Sequence, residues 1–300
     1  MRNPTARLNI VVGIATAGRR EILGDAIKFL AGQSRLPDRL LICPMAPSDV
    51  DEASVKGFPA PALVLEKATG LTAQRNKILS EANQADVIVF FDDDFFASHD
   101  YLLNVEKLFL ARPDVVAATG NLFADGAVGP GLSAEEASKI IGSPSTESDD
   151  EQLIEHYGTY GCNMAFRIDP IRLNSIIFDE NLPLYSWLED IDFSGQLMHH
   201  GLIIKTKSLR GVHLGIKVGR TSGVRFGYSQ IANPIYLTRK GTMSRKHART
   251  IMSRNIAANF IRSLYPEKWI DRRGRLKGNV LALIDLAVGR SSPRRILELN

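Results

Sequence analysis

Cysteine is scarce in this chain, which has only Cys43 and Cys162 among its 300 residues. Two cysteines cannot form the disulfide framework of a small secreted domain, and this pair does not have the spacing of a zinc site. A hydrophobic fraction of 44% is enough for a sizeable apolar core instead. We therefore expect a reducing, cytoplasmic environment.

Long apolar runs and targeting signals are also missing. No run approaches the ~18 apolar residues that a membrane-spanning helix requires. The N-terminal residues lead directly into a predicted strand, LNIVVGIAT, without the pattern of a signal peptide. The sequence therefore predicts neither a transmembrane helix nor a secretory leader.

Two common phosphate-binding signatures do not occur. The turn after the first predicted strand reads GIATAGRR, which lacks the GxGxxG pattern of a dinucleotide-binding domain. The chain also contains neither GxxxxGKS nor GxxxxGKT, so a P-loop nucleotidase is disfavoured. A phosphate-bearing ligand would have to be bound by other means.

Acidic residues are scarce in the last third of the chain. Residues 1–200 contain 16 Lys and Arg against 29 Asp and Glu, whereas residues 201–300 contain 21 against 4. The net charges of these segments are −13 and +17. A basic C-terminal third predicts an anionic partner, such as nucleotide phosphates, an acidic membrane surface or nucleic acid.

Short apolar strands alternate with helical segments along the first two thirds of the chain. The predicted strands are LNIVVGIAT, RLLIC, APALVLEK, VIVFFDDD, VVAATGNLF and LIIKTKS. This alternation predicts an α/β fold with a mostly parallel central sheet flanked by helices. Thr72 is the expected N-cap of the helix after the third strand, and residues 125–152, rich in Gly, Ser, Pro and acids, are predicted as a long loop. We predict an α/β domain at residues 7–235 and a basic helical extension at residues 236–300.

Three aspartates follow the most apolar strand. Residues 87–91 predict a strand buried on both faces, and Asp92, Asp93 and Asp94 come directly after it. Adjacent carboxylates repel one another, and a divalent cation with oxygen ligands is the usual compensation. Since ligands of open α/β sheets bind at the carboxyl ends of strands, the cluster predicts a metal-assisted site for a phosphate-bearing ligand. The alternative is a solvated turn that caps the next helix.

A second acidic motif, WLED, places Glu189 and Asp190 just before a predicted helix. A carboxylate at this point can serve as the general base that deprotonates a hydroxyl group. The alternative is that both carboxylates only favour the positive end of the helix dipole. Asp192 is expected to have a structural role.

Five segments in this order resemble glycosyltransferase family 2. They are ATAGR after the first strand, LTAQRNKIL, FFDDDFF, GCNMAFR and WLEDIDFSGQL. The resemblance covers most of the chain before the basic extension, and it is to the bacterial polysaccharide-biosynthesis type. Members of the family are inverting enzymes with the GT-A fold, so the resemblance implies that fold, a nucleoside diphosphate sugar as donor, and a DxD motif in FFDDDFF.

The resemblance also implies roles for the residues near the aspartates. Asp94 and His213 are the expected ligands of Mn²⁺ or Mg²⁺, and an imidazole suits Mn²⁺ as well as a carboxylate does. The alternative for His213 is an ordinary half-buried histidine. Arg75 is expected to pair with either the donor phosphate or the aspartates. The full set of expected donor-binding residues is Ala15, Thr16, Arg19, Arg75, Asp92 and Asp93.

The acceptor side is assigned by the same resemblance. Asp190 is expected to be the catalytic base, and Glu189 is expected to bind the acceptor beside it. Trp187 is the expected platform for the apolar face of a sugar. Asn163 offers a donor and an acceptor of hydrogen bonds to a sugar hydroxyl.

One departure from the family concerns the nucleotide base. Family members often carry two aspartates after the second strand, where one of them reads a uracil edge, but this chain has Pro44 and Met45 there. Either Asp49 substitutes, or the donor is not a uridine nucleotide. In the later Gly- and Arg-rich loop, Arg220 and Arg225 are expected to close over the diphosphate.

The basic extension interleaves cations with apolar side chains. The apolar residues are Ile251, Met252, Ile256, Phe260, Ile261, Leu264, Tyr265 and Trp269. Basic amphipathic helices with aromatic anchors lie on anionic membrane surfaces, so we expect peripheral docking on the inner face of a membrane. The alternative is a helix that packs on the catalytic domain. Nucleic acid is not expected as a partner because no recognised motif accompanies the charge.

The sequence therefore predicts an inverting, metal-dependent transferase that moves a sugar to a glycan or lipid-linked acceptor in cell-surface polysaccharide synthesis. One alternative is a sugar-phosphate nucleotidyltransferase. Such an enzyme normally opens with a Gly-rich loop that binds a nucleoside triphosphate, and GIATAGRR resembles this loop only faintly. The other is a catalytically inactive, membrane-docked assembly partner, against which the intact DDD and WLED motifs argue. The donor sugar, the acceptor, the linkage and the oligomeric state are not specified.

Overall fold

The computed structural model describes residues 7–143, 153–217 and 222–299. Arg220 and residues 144–152 of the predicted loop lie outside the described residues. The chain divides into two compact units, which are described separately. The first comprises Met1–Thr69, Ala73–Ile177 and Leu197–Val218, and the second comprises Gly70–Thr72, Phe178–Gln196 and Gly219–Asn300. This division assigns the WLED segment to the second unit, whereas the predicted boundary lay at residues 235 and 236.

The first unit is built on one nine-stranded sheet. Its strands are β1 (Ile10–Thr16), β2 (Arg39–Pro44), β3 (Ala62–Val64), β4 (Val87–Asp92), β5 (Phe95–Ala97), β6 (Val115–Asp125), β7 (Leu153–Glu155), β8 (Asn163–Arg167) and β9 (Leu202–His213). Their order across the sheet is β3-β2-β1-β4-β8-β6-β9-β5, and β7 pairs with β9. The predicted α/β class is confirmed.

One half of the sheet has the predicted parallel arrangement. β1 pairs in parallel with both β2 and β4, and β2 pairs in parallel with β3. All residues of β4 before Asp92 are buried, as expected for a strand that is covered on both faces. Because parallel strands end at the same edge, the last residues of β1 and β4 emerge side by side, with Ala15 opposite Asp92.

The remaining strands make the sheet mixed rather than mostly parallel. β8 runs antiparallel to β4 and β6, and β5 and β7 run antiparallel to β9, whereas β6 and β9 are parallel. The apolar pattern of a strand reports its burial and not its direction, which is why the sequence did not show this. His213 is the last residue of the 12-residue β9.

Amphipathic helices cover the sheet of the first unit. They are α1 (Arg20–Ala31), α2 (Glu52–Lys56), α4 (Tyr101–Ala111), α5 (Ala134–Gly142) and α6 (Ile168–Leu173), and α3 (Leu71–Glu81) begins in the second unit and continues in the first. The residues that α1 buries recur at helical spacing, as predicted. Helix α5 corrects the prediction of an unbroken loop. It starts at a capping box, in which Ser133 and Glu136 each accept the other's backbone N–H.

The start of α3 also differs from the prediction. Thr72 lies inside the helix and does not cap it. Its hydroxyl donates to the carbonyl of Leu182 at 3.2 Å, and the backbone N–H of Leu71 donates to the carbonyl of Leu184 at 3.1 Å. Partners that lie 110 residues away in the chain replaced the expected local cap, and such partners leave no trace in a local pattern.

The second unit is helical, and the predicted basic helical extension is confirmed. It contains α7 (Glu189–Leu197, whose last residue belongs to the first unit), α8 (Gly223–Lys240), α9 (Arg245–Arg262), α10 (Arg272–Ala287) and a 3₁₀ turn at Pro293–Glu298. The side chains of Ser222, Ser244 and Asp271 accept backbone N–H groups and so fix where α8, α9 and α10 begin. None of the helices among the described residues combines the length and the apolarity needed to cross a bilayer.

Helices α8 and α10 approach each other closely because two glycines lie at their crossing. A Cβ atom at Gly227 would clash with the backbone of Arg275, and one at Gly278 would clash with the backbone of α8. Both glycines are needed for their lack of a side chain rather than for an unusual backbone angle. The crossing therefore packs backbone against backbone.

Candidate active site

The three aspartates lie at the edge where β1 and β4 end. Asp92 is the last residue of β4, Asp93 and Asp94 form a turn, and β5 begins at the next residue. Asp93 and Asp94 are buried, whereas the side chain of Asp92 is about one third exposed. The turn is therefore not a solvated surface turn, because charged groups are rarely buried without specific partners.

Asp92, Asp94 and His213 could together hold a cation, because each offers a ligand atom within 4.8 Å of the others. The antiparallel pairing of β5 with β9 produces this arrangement, because it places His213 opposite Phe95. Two carboxylates and one imidazole are a suitable donor set for Mn²⁺, and carboxylates also suit Mg²⁺. The chain thus provides a fitting site for the cation that the sequence predicts.

His213 is held from its other side by Asp125. The Nδ1 atom of His213 lies 2.8 Å from Oδ1 of Asp125, and the hydroxyl of Tyr160 donates to Oδ2 of Asp125 at 2.9 Å. The backbone N–H of Ala127 also donates to Asp125, at 2.9 Å. Asp125 therefore fixes the imidazole ring with Nε2 directed towards Asp94, at 3.4 Å. Metal-binding histidines are commonly oriented by a carboxylate in this way.

The ionisation of this pair follows from burial and contact. Burial by itself would raise the pKa of Asp94, but the hydrogen bond and charge of His213, together with the charge of Arg19, lower it to about 2. Burial by itself would lower the pKa of His213, but its hydrogen bonds to Asp125 and Asp94 raise it to about 10. The proton on Nε2 thus lies where a cation would bind, so a cation and this proton compete for the site.

Arg19 forms ion pairs with Asp93 and Asp94. Its Nη1 atom lies 2.9 Å from Asp93 Oδ1 and 3.4 Å from Asp94 Oδ2, and its Nη2 donates to the carbonyl of Ile216. Thr16 donates to Asp93 Oδ2 at 2.8 Å. Burial raises the pKa of Asp93 to about 7 despite Arg19, and the charge of Asp94 acts in the same direction. The structure thus brings the predicted residues Thr16, Arg19 and Asp93 together.

Arg75 pairs with the aspartates, which is one of the two expected contacts. It is only 1% exposed, and its Nη2 donates to Asp92 Oδ1 and to the carbonyl of Gly161, both at 2.9 Å. Its guanidinium carbon lies 5.8 Å from the centroid of the Phe90 ring. Arg75 therefore holds the carboxylate of Asp92 in place at the end of β4.

Asn163 lies inside the sheet, opposite Phe91 of β4, and has no exposed surface. Its Oδ1 accepts from the hydroxyl of Thr119 at 2.6 Å and from the backbone N–H of Gly120 at 3.2 Å. Its Nδ2 has no hydrogen-bond partner among the described residues. These contacts connect β8 to β6, and the acceptor-binding role of Asn163 stays a prediction.

Asp49 is already bound by the backbone. It is 5% exposed, and its carboxylate accepts the N–H of Gly18 at 3.0 Å and the N–H of Ala46 at 2.7 Å. It therefore orders the loops after β1 and β2 by two charge-assisted hydrogen bonds. Met45, directly after β2, is 43% exposed.

The WLED segment of the second unit has an unusual backbone. Leu184, Ser186 and Leu188 have φ angles of 61°, 54° and 74°. Left-handed backbone at residues other than glycine costs roughly 1–3 kcal/mol each and persists only where the surroundings enforce it. Here the Ser186 hydroxyl donates to the Leu182 carbonyl at 2.6 Å, and Asn233 donates to the Trp187 carbonyl at 2.7 Å. The strained segment ends at Glu189, where α7 begins.

The two carboxylates that follow this segment differ in exposure. Glu189 is 6% exposed, whereas Asp190 is partly exposed and its Oδ1 accepts the backbone N–H of Ile191 at 2.8 Å. Asp192 has no exposed surface and binds Lys240 at 2.7 Å and the hydroxyl of Thr242 at 2.6 Å. These contacts agree with the structural role expected of Asp192, and they distinguish it from Asp190.

Trp187 belongs to an aromatic cluster that the sequence did not reveal. Its ring lies 5.8 Å from that of Phe226, and Tyr185, which is 51% exposed, also lies 5.8 Å from Phe226. The guanidinium carbon of Arg275 lies 4.4 Å from the Phe226 centroid. Phe226 and Arg275 come from α8 and α10, so only packing within the second unit brings them to Trp187.

Asp125 and Tyr160 are the residues of the first unit that sequence reasoning missed. Asp125 is the last residue of β6 and was assigned to the predicted loop. An acid at the end of a strand was the available signal, as it was for the three aspartates. Tyr160 offered none, since it lies outside the named strands and reaches Asp125 only across 35 residues of chain.

Known proteins resemble the chain in both sequence and fold. The model of Glycosyl transferase family 2 matches residues 11–172. The mannosyltransferase PcManGT from Pyrobaculum calidifontis, solved with GDP-Man and Mn²⁺, has a TM-score of 0.58 at 15% identity, over 99% of this chain and 80% of that one. TarS 1–349 from S. aureus, solved with UDP-GlcNAc, has a TM-score of 0.59 at 13% identity, over 97% and 84%. No curated protein matches the chain by sequence.

A third solved structure, GalNAc-T7 with UDP, GalNAc and Mn²⁺, has a TM-score of 0.55 at 10% identity, over 98% of this chain and 57% of that one. At these identities the structures show the shared GT-A fold. The family match covers more than half of the 300 residues. The chain therefore belongs to glycosyl transferase family 2 and is a glycosyltransferase.

Proposed function

We propose that the protein transfers a sugar from a nucleoside diphosphate donor to an acceptor hydroxyl, with inversion at the anomeric carbon. The observation that carries this proposal is the meeting of Asp92, Asp94 and His213 within 4.8 Å at the end of β4. A diphosphate leaving group requires a positive charge at such an edge. Related folds were solved with GDP-Man, UDP-GlcNAc, or UDP with GalNAc, which supports a donor of this class.

The first unit would bind the donor. Asp92, Asp94 and His213 would hold Mn²⁺ or Mg²⁺, which when bound neutralises charge on the leaving diphosphate. Arg19 lies against Asp93 and Asp94 and offers a second positive charge at the same edge. Asp92 would also contact the donor, and the remaining donor-binding residues of the proposal are Ala15, Thr16, Arg75 and Asp93.

The second unit would supply the base. Asp190 would accept the proton of the acceptor hydroxyl as the new C–O bond forms and the bond to the diphosphate breaks on the opposite face of the sugar. Trp187 would support the apolar face of the acceptor, and Glu189 and Asn163 would hydrogen-bond its hydroxyls. The backbone strain before α7 supports a functional segment, because such strain clusters at active sites.

The acceptor of the proposal is a glycan or a lipid-linked saccharide of cell-surface polysaccharide synthesis, used at the inner face of a membrane. Family membership favours transfer over the nucleotidyltransferase alternative. The basic last third of the chain supports a site of action near an anionic surface, since residues 201–300 contain 21 Lys and Arg against 4 Asp and Glu.

A thermal-shift panel of nucleoside diphosphates tests the donor assignment. We expect one nucleoside diphosphate to raise the melting temperature in the presence of Mn²⁺ and not in the presence of EDTA. At 100 times its dissociation constant, the ligand would stabilise the fold by roughly 2.7 kcal/mol. The same panel identifies the base, since Pro44 and Met45 replace the expected aspartates. Equal shifts with and without Mn²⁺ for every nucleotide would contradict the proposal.

Asp125→Asn is expected to weaken Mn²⁺ binding about 10–100-fold, the usual effect of losing the partner that orients a metal-binding histidine. The substitution keeps the size of the side chain but removes the charge that faces Nδ1 of His213. Mn²⁺ affinity is measured directly by electron paramagnetic resonance of the free ion. Asp114→Asn, on the exposed surface, is the matched control. Unchanged Mn²⁺ affinity in Asp125→Asn would exclude His213 as an oriented ligand.

A further inference from the structure

Helices α9 and α10 expose some of their large apolar side chains, namely Phe260 and Ile261 of α9 and Val280, Leu283 and Ile284 of α10. The residues that α9 buries are Ala248 and Asn259, and those that α10 buries are Arg272, Gly278, Asn279, Ala282 and Asp285. A helix on the surface of a globular protein normally buries its apolar face and exposes its polar one. The exposed apolar side chains of these helices therefore serve a contact outside the second unit or are exposed at a cost.

Polar residues hold the inner faces of these helices together. Asn259 donates to Gln230 Oε1 at 2.7 Å and to Asn279 Oδ1 at 2.9 Å, and Asn279 donates to the carbonyl of Gly227 at 2.7 Å. These buried groups satisfy one another, and Met252, Ile256 and Leu281 are the partly buried apolar residues of the two helices that pack against the neighbouring core cluster. The exposed apolar side chains of α9 and α10 are therefore available to a partner.

The exposed apolar residues lie in two neighbouring places. The first, which we name the apolar tip, is the end of α9 and the connection to α10, with Phe260, Ile261, Leu264, Tyr265 and Trp269 exposed by 63%, 64%, 68%, 90% and 41%. The second, the α10 stripe, consists of Val280, Leu283, Ile284 and Val288, exposed by 49%, 44%, 51% and 56%. The predicted membrane face began at Ile251, but Ile251, Met252 and Ile256 are partly buried against the core of the unit.

A groove lies between the end of α9 and the first half of α10. It has a volume of about 400 Å³ and is lined by Ser263, Arg273, Leu276, Lys277, Val280 and Leu281. Arg273 donates to the carbonyl of Ser263 at 3.2 Å and so connects the start of α10 to the end of α9. The groove therefore brings Val280 of the α10 stripe together with the cations Arg273 and Lys277.

The cations at this surface are not neutralised by the protein. Lys268, Arg273 and Lys277 form no salt bridge with any described residue, whereas Arg262 and Arg272 both bind Glu267. Residues 245–299 contain 13 Lys and Arg against 4 Asp and Glu. Exposed cations beside apolar side chains match the phosphates and acyl chains of an anionic lipid surface.

We infer that the apolar tip and the α10 stripe insert into the interfacial region of an anionic lipid bilayer, with Lys268, Arg273 and Lys277 at the level of the headgroups. This inference rests on the proposed function, which places the protein at a membrane, and it names the surface of the protein that docks there. A second copy of the chain fits less well, because two surfaces with the same positive charge repel each other. Nucleic acid also fits less well, because most of the exposed apolar residues are aliphatic and offer no ring on which a base can stack.

Co-sedimentation of the full chain with lipid vesicles tests the inference. Vesicles of phosphatidylcholine with phosphatidylglycerol should bind the protein at low salt and release it at high salt, and vesicles of phosphatidylcholine alone should bind it weakly. Phe260→Ser with Leu264→Ser should abolish binding. Leu173→Ser with Ile177→Ser, at positions of the first unit that are 76% and 57% exposed, is the matched control and should bind normally.

A second pair of variants tests the charges. Lys268→Glu with Lys277→Glu should lower the vesicle partition coefficient roughly 30-fold, because each cation near an anionic leaflet contributes about fivefold. Lys67→Glu with Lys107→Glu makes the same change in net charge at exposed positions of the first unit. This control should bind more tightly than the test pair. Equal losses in both pairs would show that only the overall charge matters and would overturn the inference.

Three further results would also overturn it. They are equal, negligible binding to both kinds of vesicle, release of the protein from vesicles by single-stranded DNA at low molar excess, and a dimer in sedimentation velocity that Phe260→Ser dissociates. Mn²⁺-dependent nucleotide binding is measured on the same samples. If it persists while vesicle binding is absent, the docking surface is wrong and the proposed transfer is unaffected. If Mn²⁺-dependent nucleotide binding is absent while vesicle binding persists, the proposed transfer is wrong and the docking surface is unaffected.

Discussion

Asp94→Ala is expected to abolish sugar transfer and Mn²⁺-dependent nucleotide binding together. Asp94 offers one of the three ligand atoms at the cation site, lies 3.4 Å from both Arg19 and His213, and is 2% exposed. Its loss would remove a carboxylate that both cation and imidazole require. Because a bound metal contributes several kcal/mol to catalysis, the release of nucleoside diphosphate from the donor should fall by about 10³-fold or more.

The readout must separate lost chemistry from lost folding. Asp94 Oδ2 accepts the backbone N–H of Ile216 at 2.8 Å, so alanine also removes a structural hydrogen bond. Asp94→Asn keeps an oxygen for that bond but lacks the charge, and it should lose activity as Asp94→Ala does while keeping its melting temperature. Asp169→Asn, at an exposed position, is the control. Full transfer by Asp94→Ala in chelator-treated buffer would exclude Asp94 as a metal ligand.

Asp190→Asn is expected to lower transfer by about 10²–10⁴-fold, the usual range for the loss of a general base. Asparagine has nearly the same shape and can still accept the N–H of Ile191, which Asp190 accepts at 2.8 Å. It cannot accept a proton from the acceptor hydroxyl. Binding of the nucleoside diphosphate should be retained, since Asp190 lies in the second unit and the cation site lies in the first.

Glu189→Gln is the companion variant, because Glu189 is the carboxylate next to Asp190 in the chain. Glu189 is 6% exposed, and Asp190 is the more exposed of the two. It should reduce transfer less than Asp190→Asn and should act mainly on the Michaelis constant for the acceptor. Glu180→Gln, at an exposed position, is the control. If Glu189→Gln loses the larger factor and Asp190→Asn does not, the two roles are exchanged.

Much of the fold could be read from local patterns. The continuous apolar run of β4 predicted a strand buried on both faces, and the 3.6-residue spacing of α1 predicted a helix covering the sheet. The ordered motifs predicted the family, which the match over residues 11–172 shows. These features succeed because burial and helical periodicity are properties of neighbouring residues along the chain.

Other features depend on partners far away in the chain. The antiparallel direction of β8, the capped helix α5 and the position of Thr72 inside α3 all differ from the predictions. For α3, the deciding contact joins residues 110 positions apart. No local pattern encodes such a contact, because its energy exists only after the chain has folded.

By itself, the sequence determined that three aspartates end a buried strand, that two carboxylates lie at the start of a helix, and that the last third of the chain is strongly basic. Only the tertiary structure decided that β9 brings His213 to Asp94 and that Asp125 orients it. It also decided that the buried faces of α9 and α10 are largely polar, which leaves the apolar tip exposed. The physical reason is the same in each case. Charge and hydrophobicity are properties of single residues, whereas the distance between two side chains and the exposure of each are set by packing.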